Sequence, residues 1–310
     1  MNCPLKFAGL IQVLLLFAVV NFAQARTDYP LKLNSKNTAR QITLIGQLDS
    51  HSVEQGETFL DIARKYDLGI SELTALYPKQ DPWLLNPGSK VQIPTLWIVP
   101  SSKRRSIVIN IPEMRLYHFH PKAGTVSTYP VTVGEADTPT PIGTFNIIDR
   151  EIDPDWNIPK SLQHKYTEKI IQAGDDNPLG KYWLGLSCHG YGIHGTNNAW
   201  SVGRILSNGC IRLYPEDIEK IFPEVQKGTV VEIVYEPVKF GFRQRLIFLE
   251  VHDDPYGLIE DMEVHVRDMA RKLNIERWVD WQTIYALMKE KNGVPVFVGI
   301  LPNADDDASR

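Results

Sequence analysis

The chain has 310 residues, with 33 Lys and Arg against 37 Asp and Glu, a formal net charge of −4 and three cysteines. That balance excludes the basic face a nucleic-acid partner demands, and so few cysteines exclude a disulfide scaffold. The length exceeds one ordinary core, so two or three domains are expected.

Residues 1–25 read as a secretory signal. Lys6 precedes a nearly unbroken apolar run, Phe7–Val20, and Ala23-Gln24-Ala25 offers a small-x-small site for cleavage after Ala25. The run falls short of the roughly 20 residues of a membrane span, although an uncleaved anchor is the competing reading. Cleavage removes Cys3 and leaves a soluble protein outside the cytoplasm, with Cys188 and Cys210.

Residues 26–48 are a polar lead-in with a strand-like run at Gln41–Ile45. Residues 49–97 form a compact βααβ unit. His51-Ser52-Val53 reads as a strand, and Thr58 with Asp61 as a capping box ahead of Phe59, Ile62, Ala63 and Tyr66 at helical spacing. A second helix runs from Ser71 to Pro78, and Lys90–Pro94 returns as a strand. Val53-x-x-Gly56-Glu57-Thr58 and Leu85-Asn86-Pro87-Gly88, followed by Val91-x-Ile93-Pro94, resemble a LysM module. That family binds glycan chains containing N-acetylglucosamine, peptidoglycan especially. A small cap without a ligand is the competing reading, and Trp83 could stack on a sugar or fill the core.

Residues 98–235 read as mainly β. The runs Ile107–Ile111, Met114–Phe119, Thr125–Val133, Gly143–Ile148, Tyr182–Leu186 and Gly192–Thr196 are rich in β-branched and aromatic residues. Asp137–Gly143 is a proline-rich ordered loop, and Asp149–Asn177 a long polar insertion of the kind that shapes a site. One dependable helix starts at Pro215-Glu216-Asp217, with Ile218, Ile221, Phe222 and Val225 on its buried face. In 236–310, Ile247–Val251 reads as a strand, Tyr256–Leu273 and Asp280–Lys291 as amphipathic helices, and Asp305–Asp307 as a solvated tail.

The chemistry centres on Cys210, in Ser207-Asn208-Gly209-Cys210-Ile211-Arg212-Leu213, and on His194, in Tyr191-Gly192-Ile193-His194-Gly195-Thr196. A thiol at its ordinary pKa is only slightly ionised near neutrality and needs a base, which histidine supplies. Gly192 and Gly195 are expected to leave room for a substrate backbone. Three consecutive amides, of Asn208, Gly209 and Cys210, are candidate oxyanion donors, with Ser207 beside them. Arg212 can hold a carboxylate or join a structural ion pair. No carboxylate presents itself as a third member, so a backbone carbonyl, that of Gly195, is the expected orienter of the imidazole. A zinc site from Cys188, His189, His194 and Cys210, and a Cys188–Cys210 disulfide, are the competing readings. Adjacent Cys188 and His189 suit tetrahedral ligation poorly.

The two-part motif Ile193-His194-Gly195-Thr196-Asn197 and Ser207–Leu213 resembles the signature of the L,D-transpeptidase (YkuD-type) catalytic domain over roughly residues 104–235. Asn208 stands where that family usually has histidine. The resemblance implies a mainly β, β-sandwich-like catalytic domain with one helix after the nucleophile, beside the small βααβ LysM domain; the partly helical C-terminal extension beyond Pro255 is not placed by it. It implies attack by Cys210 on the diaminopimelate carbonyl of a peptidoglycan tetrapeptide stem, loss of D-alanine, and transfer to an amine with His194 as base. No metal or organic cofactor is implied. The Asp176–Gly180 run and Val231–Val251 are most similar to periplasmic members that attach Braun's lipoprotein through its C-terminal lysine. A carboxypeptidase or cysteine peptidase, and a non-catalytic wall-binding protein, remain alternatives.

Overall fold

The computed structural model describes residues 28–31, 43–102 and 106–302. The signal sequence at 1–25, residues Gln41 and Ile42 of the first strand-like run, and the acidic tail lie outside the described residues. The rest of that run belongs to a strand, Leu44–Gly46.

In the N-terminal unit, strands Asp49–Ser52 and Lys90–Ile93 pair antiparallel around helices α1 (Phe59–Lys65) and α2 (Ile70–Leu76). The capping box is formed. Thr58 Oγ1 accepts the Asp61 N–H at 3.3 Å, and Asp61 Oδ2 accepts the Thr58 N–H at 2.9 Å. The second helix begins at Ile70, one residue before Ser71, because Glu72 Oε2 caps the Gly69 N–H at 2.7 Å. Phe59, Ile62 and Leu73 bury themselves in one cluster with Val108, Tyr117, Phe119 and Val126 of the neighbouring sheet. Segments 49–97 and 98–235 therefore share a core. Fully buried Arg115 reinforces that seam. It donates to Glu72 Oε2 at 2.7 Å and stacks over Trp97 at 4.3 Å.

A nine-stranded sheet forms the body of the molecule, in the order Asp28–Pro30, Thr125–Pro130, Arg115–His120, Ile107–Asn110, Val230–Val234, Gly143–Ile152, Tyr182–Leu186, Gly192–His194, Ile211–Arg212. Two of its pairings are parallel: Ile107–Asn110 with Val230–Val234, and Gly192–His194 with Ile211–Arg212. Ile107 and Ile109 join the cluster beneath helix α3 (Pro215–Ile221), whereas Val108 faces the N-terminal unit. Both faces are covered at this strand, which is why it reads as an unbroken apolar run. The strand expected at Gly143–Ile148 continues to Ile152. Its first half pairs with Val230–Val234 and its second, beyond a bulge, with Tyr182–Leu186. Polar Asp149–Glu151 are thus strand residues, and the insertion proper begins at Asp153.

The C-terminal segment holds an antiparallel sheet of three strands, Val238–Arg243, Leu246–Val251 and Val296–Ile300, packed with α4 (Met262–Lys272) and α5 (Trp281–Glu290). Only the middle strand is legible in the sequence. Lys239 and Gly241 interrupt the apolar pattern of the first. Gly241 is required because a Cβ there would sit 2.6 Å from Ile98 Cγ1. Helix α4 starts six residues later than Tyr256, where the Asp261 side chain caps the Val264 N–H at 3.0 Å. Lys239 is buried, and its Nζ reaches Glu113 Oε2 at 2.6 Å, Glu250 Oε1 at 2.7 Å and the Ile98 carbonyl at 2.6 Å.

In the first turn of α3, Asp217 is fully buried beside Asp67 and 3.1 Å from Lys220 Nζ. Burial, and then the Asp67 charge, push its carboxyl up to about 8. The folded state therefore holds this proton more tightly than the unfolded chain does. The stability it contributes is present at acid pH and lost as pH rises through about 8. We expect the melting temperature to fall across that range and Asp217→Asn to flatten the slope. An unchanged slope in the variant would show that Asp217 is not the titrating group.

Candidate active site

Parallel pairing of Gly192–His194 with Ile211–Arg212 sets His194 opposite Arg212, two residues beyond Cys210. Cys210, His194 and Arg212 line one cavity of about 340 Å³. The insertion supplies its far wall through Pro154, Asp155, Trp156, Pro159, Leu162 and Tyr166, and Glu151 and Trp183 also border it. Cys188 and Cys210 both carry free thiols. Cys188 sits half-buried in the turn before Tyr191, outside the cavity lining.

His194 is buried and its Nδ1 lies 2.7 Å from the Gly195 carbonyl. A carbonyl only accepts, so Nδ1 carries the proton and Nε2 keeps its lone pair. Trp183 stacks on the ring at 5.7 Å. Burial, and then the Arg212 charge, lower the imidazole to about 3. Burial raises the Cys210 thiol, opposed by the Gly192 backbone N–H and by Arg212. Thiol and imidazole therefore both rest neutral in the cavity they share, and the thiol donates to the Gly190 carbonyl at 3.6 Å. Arg212 itself is held below its ordinary value by burial. It has no ion-pair partner among the described residues, and its buried Nε is unsatisfied. A cation so placed suits an anionic group entering the cavity.

Several expected roles shift. Gly209 is buried at φ +100°, where a Cβ would lie 2.4 Å from the Tyr191 ring. Its N–H donates to Ser207 Oγ at 3.1 Å, which withdraws it from an oxyanion role. The amides of exposed Asn208 and of Cys210 carry no such bond among the described residues. Ser207 borders the same cavity, and its buried hydroxyl donates to the Cys210 carbonyl at 2.6 Å. Gly192 makes room for the Trp183 ring, 2.4 Å from a would-be Cβ, and Gly195 for Ile218.

The 137–143 loop is absent from the cavity lining and supports the loop that carries Cys210. Thr140 Oγ1 donates to the Gly209 carbonyl at 2.9 Å and accepts the Gly134 N–H at 2.8 Å. Tyr256, from the C-terminal segment, closes the relay. Its hydroxyl donates to the Gly134 carbonyl at 2.8 Å and accepts the Thr140 N–H at 3.1 Å. Sequence reasoning missed this residue, since an aromatic in a Pro-Tyr-Gly turn carries no mark of its distant partners.

A family model for the YkuD L,D-transpeptidase catalytic domain matches residues 104–233. The chain is 32% identical over 273 residues to the probable L,D-transpeptidase YcfS of Escherichia coli, across 82% of this chain and 85% of that one. It is 33% identical over 302 residues to the probable L,D-transpeptidase YbiS of the same organism, across 90% and 95%. The chain belongs to the L,D-transpeptidase family. It is an enzyme of that class, with a mainly β fold. The putative L,D-transpeptidase YkuD of Bacillus subtilis is 32% identical over 187 residues, 59% of this chain and 98% of that one. The match to YbiS spans too much of the chain to omit all of residues 236–310.

Tyr256→Phe removes the hydroxyl while keeping the ring stacked on Tyr235. We expect kcat to fall about tenfold, equivalent to roughly 1.4 kcal/mol in the barrier, with a smaller change in KM. An unaltered kcat would remove Tyr256 from the support of the nucleophile loop.

Proposed function

We propose that the protein is a periplasmic peptidoglycan L,D-transpeptidase in which Cys210 is the nucleophile and His194 the base. The observation that carries this reading is the Gly195 carbonyl on His194 Nδ1, which leaves Nε2 unprotonated in the cavity that Cys210 lines. Cys210 Sγ attacks the diaminopimelate carbonyl of a tetrapeptide stem while Nε2 takes the thiol proton. The Asn208 and Cys210 amides receive the oxyanion, and Arg212 holds a substrate carboxylate. The C–N bond breaks, D-alanine leaves with the proton from His194, and a thioester remains. An amine then attacks the thioester, and His194 accepts its proton.

The acceptor we favour is the C-terminal lysine of a Braun-type lipoprotein. Glu151, at the end of its strand, and Asp155, in the insertion, border the cavity and suit a cationic tail. Asp149 does not share that role, because it pairs with Lys227 at 3.1 Å. Residues 49–97 serve as a LysM module that grips glycan, with Trp83 (53% exposed) on its surface.

Cys210→Ala and His194→Ala should each abolish formation of product from tetrapeptide muropeptides while leaving the fold intact, and Cys188→Ala should keep most activity. Mass spectrometry with a peptide ending in lysine should reveal its adduct. Stem-to-stem dimers alone would overturn the acceptor, and hydrolysed stems alone the transfer. Wild-type turnover by Cys210→Ala would overturn the nucleophile.

The pH profile gives a separate check. An imidazole lowered to about 3 is already unprotonated throughout the neutral range, so kcat/KM for acylation should show no acid limb near 6.5. A limb there would mean that His194 titrates as an ordinary histidine.

A further inference from the structure

On the α3 side of the sheet, away from the Cys210 cavity, two histidines and a glutamate converge. His118 and His120 alternate along Arg115–His120 and so project from the same face. Glu224 follows the end of α3. We propose that His118, His120 and Glu224 form a binding site for a first-row divalent cation of the zinc class, which ties the sheet to the segment after α3.

The spacing is that of a ligand set. His118 Nδ1 and His120 Nδ1 each lie 3.6 Å from Glu224 Oε2, and the three ligand atoms all fall within 4.8 Å of one another. Ligands at about 2.0–2.1 Å from a tetrahedral zinc stand roughly 3.4 Å apart. At 3.6 Å, neither imidazole makes a hydrogen bond to the carboxylate.

Proton bookkeeping gives the second observation. Ser127 Oγ donates its one proton to the Asp28 carboxylate. Toward His120 Nε2, at 2.7 Å, Ser127 can therefore only accept, so Nε2 carries a hydrogen, and in the neutral ring Nδ1 is the bare nitrogen. A bare nitrogen facing a carboxylate oxygen is an apposition of two acceptors, which a cation between them relieves. A ring nitrogen held through a hydroxyl to a carboxylate is also the outer-shell arrangement that orients metal-ligating histidines. His118 is buried, and its ring has no hydrogen-bond partner among the described residues. The other converging set, Glu113, Glu250 and His252, differs, because the Lys239 ammonium already bonds both of its carboxylates. Imidazole ligands favour zinc, copper and nickel over magnesium or calcium. With three protein ligands, a water completes a tetrahedron on the open side, where Glu224 is 55% exposed.

The test uses the full mature protein, stripped with chelator and titrated with Zn²⁺ by calorimetry. About one equivalent should bind to wild type and to Cys210→Ala alike, with a rise in melting temperature. Glu224→Gln, an isosteric change at an exposed side chain, should weaken binding more than about 100-fold, and His120→Ala should abolish both binding and the thermal shift. Cobalt(II) at the site should show tetrahedral visible bands without thiolate charge transfer. No binding by wild type, undiminished binding by Glu224→Gln, or a thiolate band that vanishes in Cys210→Ala would each overturn the proposal.

Discussion

One buried ammonium holds the three parts of this chain together. Lys239 comes from the C-terminal sheet, its partner Glu113 from a turn of the large sheet, and its carbonyl partner Ile98 from the strand that leaves the N-terminal unit. Glu250 completes the arrangement by accepting the Ile98 N–H at 2.6 Å. Burial disfavours the charge, but the Glu113 and Glu250 carboxylates outweigh it and hold Lys239 above its ordinary value. An ammonium out of water is tolerated only where such partners are already in place. Its demand for them constrains how the segments dock.

That docking reaches the site. Residues 254–259 leave the C-terminal sheet and are pinned by Asp254, which accepts the Leu258 and Ile259 N–H groups at 3.0 and 2.8 Å. From there Tyr256 supports Gly134 and Thr140, and Thr140 supports the carbonyl beside Cys210. On the opposite flank, Tyr214 donates to the Leu68 carbonyl at 3.1 Å, and Arg64 makes a two-pronged contact with Glu216 at 2.6 and 2.8 Å. The short loop that carries Cys210 is braced from both terminal segments. Such bracing suits a site whose thiol and imidazole rest neutral, because reaction then depends on placement more than on stored charge.

The legible parts of the sequence are the local ones. Thr58 and Asp61 carry a helix start within four residues, and the segments around Cys210 and His194 name two residues that share the cavity and the Gly195 carbonyl that meets His194 Nδ1. What escapes is settled across long separations. Val238–Arg243 hides its strand because Lys239 looks like a surface residue until Glu113 and Glu250 are seen around it. Ser207 reads as a neighbour of the site, and only the folded loop shows its hydroxyl bonded to the Cys210 carbonyl and to the Gly209 N–H. Glu151 and Asp155 read much like Asp149 and Asp153, and only the folded insertion separates those bordering the cavity from those that do not.

The core shared by α1, α2 and the large sheet has a consequence for geometry on the wall. A binding unit on a flexible tether lets its enzyme sample many positions around the point of attachment. Here Phe59, Ile62 and Leu73 interlock with Tyr117 and Phe119, so the unit cannot swing. On the proposed reading, a glycan strand seated near Trp83 meets the Cys210 cavity at one fixed offset and orientation. The molecule then works as a ruler, selecting stems by their distance along the strand from the sugar it grips.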